Sequence, residues 1–234
     1  MMRSLRPARK HLALLAALIG MMVAQPLVGH RSVTAGALSD AVLCLICLYL
    51  FFIVFAEGRE RRTALALILP IFASNFAIYV LPLGLRNVPQ VAYHCFTVAF
   101  LGFAVAVILR EIFKKTVISG DDVIGAVCGY LLLGLVWANL YTLTYLLVPG
   151  TFAVNNDIAW RLAEWHQRRA LFDYLSFTTL MTLGYSDMTP IGAPAYTLTW
   201  LEVMFGQFYM AVVVAQLVGL KLAQALRAGD SEAK

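Results

Sequence analysis

Thr178-Thr179-Leu180-Met181-Thr182-Leu183-Gly184-Tyr185-Ser186-Asp187-Met188-Thr189-Pro190 joins two apolar stretches of unequal length. The first, Leu171 to Met181, has about 11 residues, apolar apart from Asp173, Ser176, Thr178 and Thr179, against the roughly 20 a helix needs to cross a bilayer core. The second, Tyr196 to about Leu222, is long enough to cross. A run too short to span, followed by a glycine-containing loop, reads as a re-entrant segment. Irregular backbone at membrane depth survives only where protein buries it or water bathes it. Thr182 to Asp187 is therefore expected to line an aqueous path or to be walled in by subunits.

The remainder of the chain supports a membrane setting. Its 234 residues are 61% hydrophobic and only 13% charged, with a mean hydropathy of +0.79, outside the range of soluble domains. Further apolar runs cover Leu12 to Val28, Ala37 to Ala56, Thr63 to Leu81, Val91 to Leu109 and Val123 to Val148. With the last run they predict six spans. The basic start, Arg3, Arg6, Arg9 and Lys10, followed by an apolar run resembles a signal peptide. A cut after Ala24 would put Met22 where a small residue is needed, and it would spoil the alternation of charge, so a retained first helix is the better reading.

That alternation sets orientation. With both termini on one side, that side also holds Arg59, Arg61, Arg62, Arg110, Lys114, Lys115, Lys221, Arg227 and Lys234, and the other side keeps Arg31, Arg86, Arg161, Arg168 and Arg169. Cytoplasmic loops carry the excess of Lys and Arg, so both termini are expected in the cytoplasm, with the chain crossing the inner (plasma) membrane. The net charge of +5 then follows from topology, and no nucleic-acid partner is needed to account for it. Cys44, Cys47, Cys95 and Cys128 all fall in apolar runs and read as small buried hydrophobes, with no cofactor implied.

Thr182-Leu183-Gly184-Tyr185-Ser186-Asp187 resembles the selectivity filter of the bacterial potassium channel family, usually written Thr-Val-Gly-Tyr-Gly-Asp. Leu201 to Tyr209 is similar to bacterial members of the two-helix-pore ion channel group. The resemblance covers Val123 to Leu222, in the order outer helix, pore helix, filter, inner helix. It implies an all-α membrane protein with a re-entrant pore helix and filter loop between the fifth and sixth spans, assembled as a homotetramer in the lipid bilayer. Residues 1–118 would form a four-helix transmembrane domain and residues 119–234 the pore domain. Backbone carbonyls of Thr182, Leu183, Gly184 and Tyr185, with the Thr182 hydroxyl, would replace the hydration shell of permeant K+. Gly184 permits a positive φ that turns carbonyls toward the axis.

The same resemblance implies further roles. Tyr174, thirteen residues before Asp187, would donate to that carboxylate behind the filter. Gly206, 20 residues after Ser186, matches an inner-helix hinge, with close packing the other reading. Gln207, Met210 and Val214 would face a central cavity. Glu202, ionisable inside a span, is a functional candidate or an anchor behind the filter. Ser186 stands where the family has glycine, and a side chain costs about 1 to 2 kcal/mol in a left-handed backbone. A weakly selective monovalent cation channel and a non-conducting regulatory or scaffold subunit therefore stand as alternatives to potassium selectivity.

The first four runs carry no ladder of Arg or Lys at three-residue spacing, with Arg110 only at the inner end of the fourth, which argues against a charged voltage sensor. His94, near the outer end of the fourth run, reads as an interfacial side chain, with a pH sensor as the alternative. Pro149 to Arg169 reads as an extracellular turret or short amphipathic helix, with Asn155-Asn156-Asp157 as a cap. A serine peptidase is the one enzyme reading, through Gly184-Tyr185-Ser186. It fails because no histidine follows Ser186 to act as base.

Overall fold

The computed structural model describes residues 10–28, 33–53, 55, 59–184 and 187–232, so Tyr185 and Ser186 lie outside the described residues. The long apolar runs become helices: α1 Lys10–Val28, α2 Val33–Ile53, α3 Arg59–Val80, α4 Asn87–Lys114, α5 Gly120–Leu147 and, at the end of the chain, α8 Ala193–Glu232. Four of them contain stretches long and apolar enough to span a membrane: Glu60–Val80, Asn87–Lys114, Gly120–Leu147 and Ala193–Arg227. The apolar parts described in α1 and α2, His11–Val23 and Val42–Phe52, are shorter. The molecule is thus mostly helical, with the build of a multi-pass membrane protein.

Local chemistry sets the helix boundaries. Before α5, the Ser119 N–H and hydroxyl both donate to Asp122 Oδ2, at 2.9 and 2.7 Å, and Lys115 pairs with the same carboxylate. Asp121 and Asp122 also sit in the first turn, where the helix dipole favours negative charge. His11 Nδ1 at the start of α1 lies 2.8 Å from Asp121 Oδ2, and Arg110 near the end of α4 lies 3.4 Å from Glu60 at the start of α3. One end of the bundle therefore gathers the starts of α1, α3 and α5 with the end of α4. At the opposite end, Arg86 Nε donates to Leu81 O over 2.8 Å, closing the α3–α4 turn.

A large apolar core joins Leu14 and Leu18 of α1, Leu43 and Leu50 of α2, Ile68 of α3, Phe100 and Leu101 of α4, Leu132 of α5 and Val213 of α8. A second core, around Tyr141, Phe152, Phe172, Leu175 and Met188, sits at the far end of α5.

Between α5 and α8 the structure departs from the sequence reading. The turret region holds β1 Phe152–Val154, a single turn at Asn156–Ile158 capped by Asn155, and α6 Trp160–Ala163. The chain straightens at Glu164 (φ −82, ψ 113) and re-enters a helix, α7 Trp165–Leu180. Its 16 residues start well before Leu171 and span about 24 Å, still short of a crossing. The sequence hides this start because Arg168 and Arg169 read as a solvated turret. Both are buried: Arg168 donates to Gln90 Oε1 at 2.9 Å and lies over the Tyr145 ring, and Arg169 stands 4.0 Å from Asp173 one turn on. After the loop, β2 Met188–Pro190 pairs antiparallel with β1 in the register Phe152↔Pro190, Ala153↔Thr189, Val154↔Met188. The wholly α-helical expectation is corrected to that extent.

α7 seats against α5 at Gly134. A Cβ built there would fall 2.5 Å from Phe177 Cε1, so only hydrogen fits. Gly134→Ala is expected to push α7 off α5 and to destabilise the fold by roughly 1 to 3 kcal/mol, read as a lowered melting temperature of the detergent-solubilised protein.

Candidate functional site

The end of α7 and the four residues after it, Met181 to Gly184, are tied back to the helix by a set of backbone hydrogen bonds. Met181 N donates to Phe177 O at 3.1 Å, Thr182 N to Thr179 O at 2.9 Å, and Leu183 N and Gly184 N both to Thr178 O, at 2.8 and 3.3 Å. The paired bonds from 182 to 179 and from 183 to 178 are those of a Schellman cap, whose left-handed position normally takes glycine. Here it is Thr182, at φ 58, the one non-glycine with positive φ among the described residues. Gly184 follows at φ 71.

Peptide planarity turns these bonds into a statement about oxygens. In a trans peptide the carbonyl points opposite to the next N–H. Because the N–H groups of Leu183 and Gly184 both aim back at Thr178 O, the carbonyls of Thr182 and Leu183 both aim away from α7. They sit side by side on an exposed loop, Met181 to Gly184, while the carbonyls of residues 177 to 180 are already taken.

Leu180 O is the last of those. It accepts from Tyr130 Oη of α5 at 3.1 Å and meets Gly206 of α8, where a built Cβ would lie 2.8 Å from that oxygen. One turn before Gly206, the fully buried Glu202 contacts Ser176 Oγ of α7 at 2.5 Å and the Tyr141 hydroxyl of α5. Ser176 Oγ also lies 2.7 Å from Gly134 O. Glu202 is therefore an anchor joining three helices, and Gly206 serves close packing. Tyr130, Tyr141 and Ser176 were not singled out from sequence, although polar groups inside apolar helices are the available signal.

The remaining expected residues divide. Glu202, Gly206, Tyr209, Val213 and Leu217 form the buried stripe of α8 at helical spacing. Gln207, Met210 and Val214 are exposed on its other side. Tyr174 is 47% exposed, and among the described residues no hydrogen bond joins it to Asp187. The Asp187 carbonyl accepts instead from Asn155 N at 3.4 Å, which extends the β1–β2 ladder. His94 is corrected outright. It is fully buried, and its Nδ1 lies 2.7 Å from Asn139 Oδ1. Asn139 Nδ2 donates to Leu135 O, so Oδ1 is the acceptor and the imidazole donates through Nδ1.

Comparison with protein-family models, with curated proteins and with solved structures finds no significant match. The functional reading rests on residues and geometry.

Gly206→Ala separates packing from hinging. A methyl cannot fit 2.8 Å from a main-chain oxygen, so the variant is expected to lose roughly 1 to 3 kcal/mol in thermal unfolding. A hinge glycine free of contacts would leave stability unchanged or raised.

Proposed function

We propose that the chain is one subunit of a homotetrameric potassium channel of the inner membrane, with α1 to α5 and α8 as six spans and α7 as a re-entrant pore helix. The termini are cytoplasmic in this reading, because the end of the bundle that gathers Glu60, Arg110, Lys115 and Asp121 also carries the excess of Lys and Arg. The loop after α7 then opens outward. One loop cannot encircle an ion, so four copies contribute Thr182, Leu183, Gly184 and Tyr185 around a common axis.

The observation that carries the reading is the turned backbone at Thr182 and Gly184. A β-branched residue is held in a left-handed conformation that costs about 1 to 2 kcal/mol, and strain of this kind gathers at functional sites. What the strain produces is a pair of adjacent carbonyls, those of Thr182 and Leu183, directed away from α7 at a braced helix end. Such oxygens replace water around a dehydrating cation. The C-terminal end of α7 adds its negative dipole. Gln207, Met210 and Val214, exposed on the side of α8 away from α5 and α7, would line the cavity below, where a polar Gln meets water.

The test is flux. Proteoliposomes containing the purified protein are expected to take up Tl+ and K+, and to develop a potential in a K+ gradient opposed by Na+. Uptake with no potential under opposed gradients would leave a weakly selective pore, and no uptake at all would leave the regulatory subunit. Thr182→Gly provides an internal control. It removes about 1 to 2 kcal/mol of backbone strain and is expected to raise the melting temperature, while losing the hydroxyl ligand and lowering K+ flux. A variant that gains stability and keeps full flux would remove Thr182 from the filter.

A further inference from the structure

The anchor at Glu202 contains more hydrogen bonds than hydroxyl protons. Three oxygen–oxygen contacts meet there: Ser176 Oγ with Gly134 O at 2.7 Å, Ser176 Oγ with Glu202 Oε1 at 2.5 Å, and Tyr141 Oη with Glu202 Oε2. A serine or tyrosine hydroxyl brings one proton each, and the Gly134 carbonyl brings none. If Ser176 donates to Gly134 O and Tyr141 to Glu202, the contact between Ser176 and Glu202 lacks a proton. If Ser176 donates to Glu202 instead, two bare oxygens face each other across 2.7 Å. A proton on the carboxyl completes the set, giving each contact a donor of its own.

The surroundings agree. Glu202 is fully buried between α5 and α7, and among the described residues its side-chain partners are Ser176 and Tyr141, with no Lys, Arg or His among them. A carboxylate there would be shut off from bulk solvent, with no counter-ion among those partners to offset its desolvation.

We propose that Glu202 is a neutral carboxylic acid that donates its own proton to Ser176, and that it acts as the positioning residue fixing the end of α7 between α5 and α8. The proton count stands apart from the channel reading and rests on it only for what that helix end then holds, the 182–184 loop. Glu202 then contributes no negative charge behind the loop, and its part in holding a cation there is to position main-chain oxygens.

Glutamine is the discriminating substitution, because its amide donates to Ser176 and its carbonyl accepts from Tyr141, reproducing the neutral acid. Infrared spectra of the full-length protein in lipid at neutral pH, wild type minus Glu202→Gln, are expected to contain a carboxylic-acid C=O stretch that shifts in deuterated buffer. A difference made only of carboxylate bands overturns the proposal. In thermal unfolding, Glu202→Gln is expected to melt with the wild type and Glu202→Ala several degrees lower, with Ser176 and Tyr141 left unpaired. Glu202→Gln melting as low as Glu202→Ala overturns it too. Neither readout uses ion flux, so a protein that conducts nothing leaves this test intact, and a conducting protein that fails it keeps the channel reading.

Discussion

A short helix that carries polar side chains into an apolar bundle must find a partner for each of them, and the region around α7 is arranged by that requirement. Ser176 reaches Gly134 O and Glu202, Arg168 reaches Gln90, and Leu180 O is closed by Tyr130. A buried donor or acceptor left without a partner costs about 1 to 3 kcal/mol, comparable with the gain from burying a whole leucine or phenylalanine side chain. Each of these bonds therefore weighs as much as a core residue. Unlike a core residue, each also has a direction, so together they fix the axial position and rotation of α7.

Small residues make those bonds reachable. Gly134 lets Phe177 lie against α5, Gly206 lets the last carbonyl of α7 touch α8, and Gly129 leaves room for the Tyr209 hydroxyl, which donates to Ala126 O at 2.6 Å. Helices in lipid gain little from apolar contact with one another and associate through close packing and interhelical hydrogen bonds. The glycines and the polar anchors are two halves of one device: the first brings backbones near, and the second fixes their register.

The sequence was most readable where the signal is local. Apolar length located the long helices, Gly184 carries the positive φ that the filter resemblance implied, and Gly206 and Glu202 were marked as unusual within a span. It was least readable where the deciding partner is distant. His94 lies 45 residues from Asn139, and Arg168 lies 78 from Gln90, so neither showed in sequence which partner it would meet inside the bundle. Strands β1 and β2 are three residues each and pair across the whole of α6 and α7, beyond any periodicity. Thr182 is a further case, because a β-branched residue is disfavoured at φ 58 and local propensity argues against it.

The strain at Thr182 and the anchoring of α7 depend on each other. A left-handed threonine at a free helix end would relax by unwinding the last turn, since fraying exposes a few backbone groups to water at little cost. Here unwinding would also release Leu180 O from Tyr130 and draw Ser176 away from Glu202, two losses in an apolar setting that together exceed the roughly 1 to 2 kcal/mol of the strained residue. The helix end is held because its supports are worth more than its distortion. The same supports leave one side of α8 untouched: Phe205, Phe208, Met210 and Val214 remain exposed with Gln207 among them. Lipid would accept the four apolar side chains but would penalise the amide. A polar group inside a span needs water or a second protein surface, and in the proposed tetramer a ring of copies around a hydrated cavity would supply both.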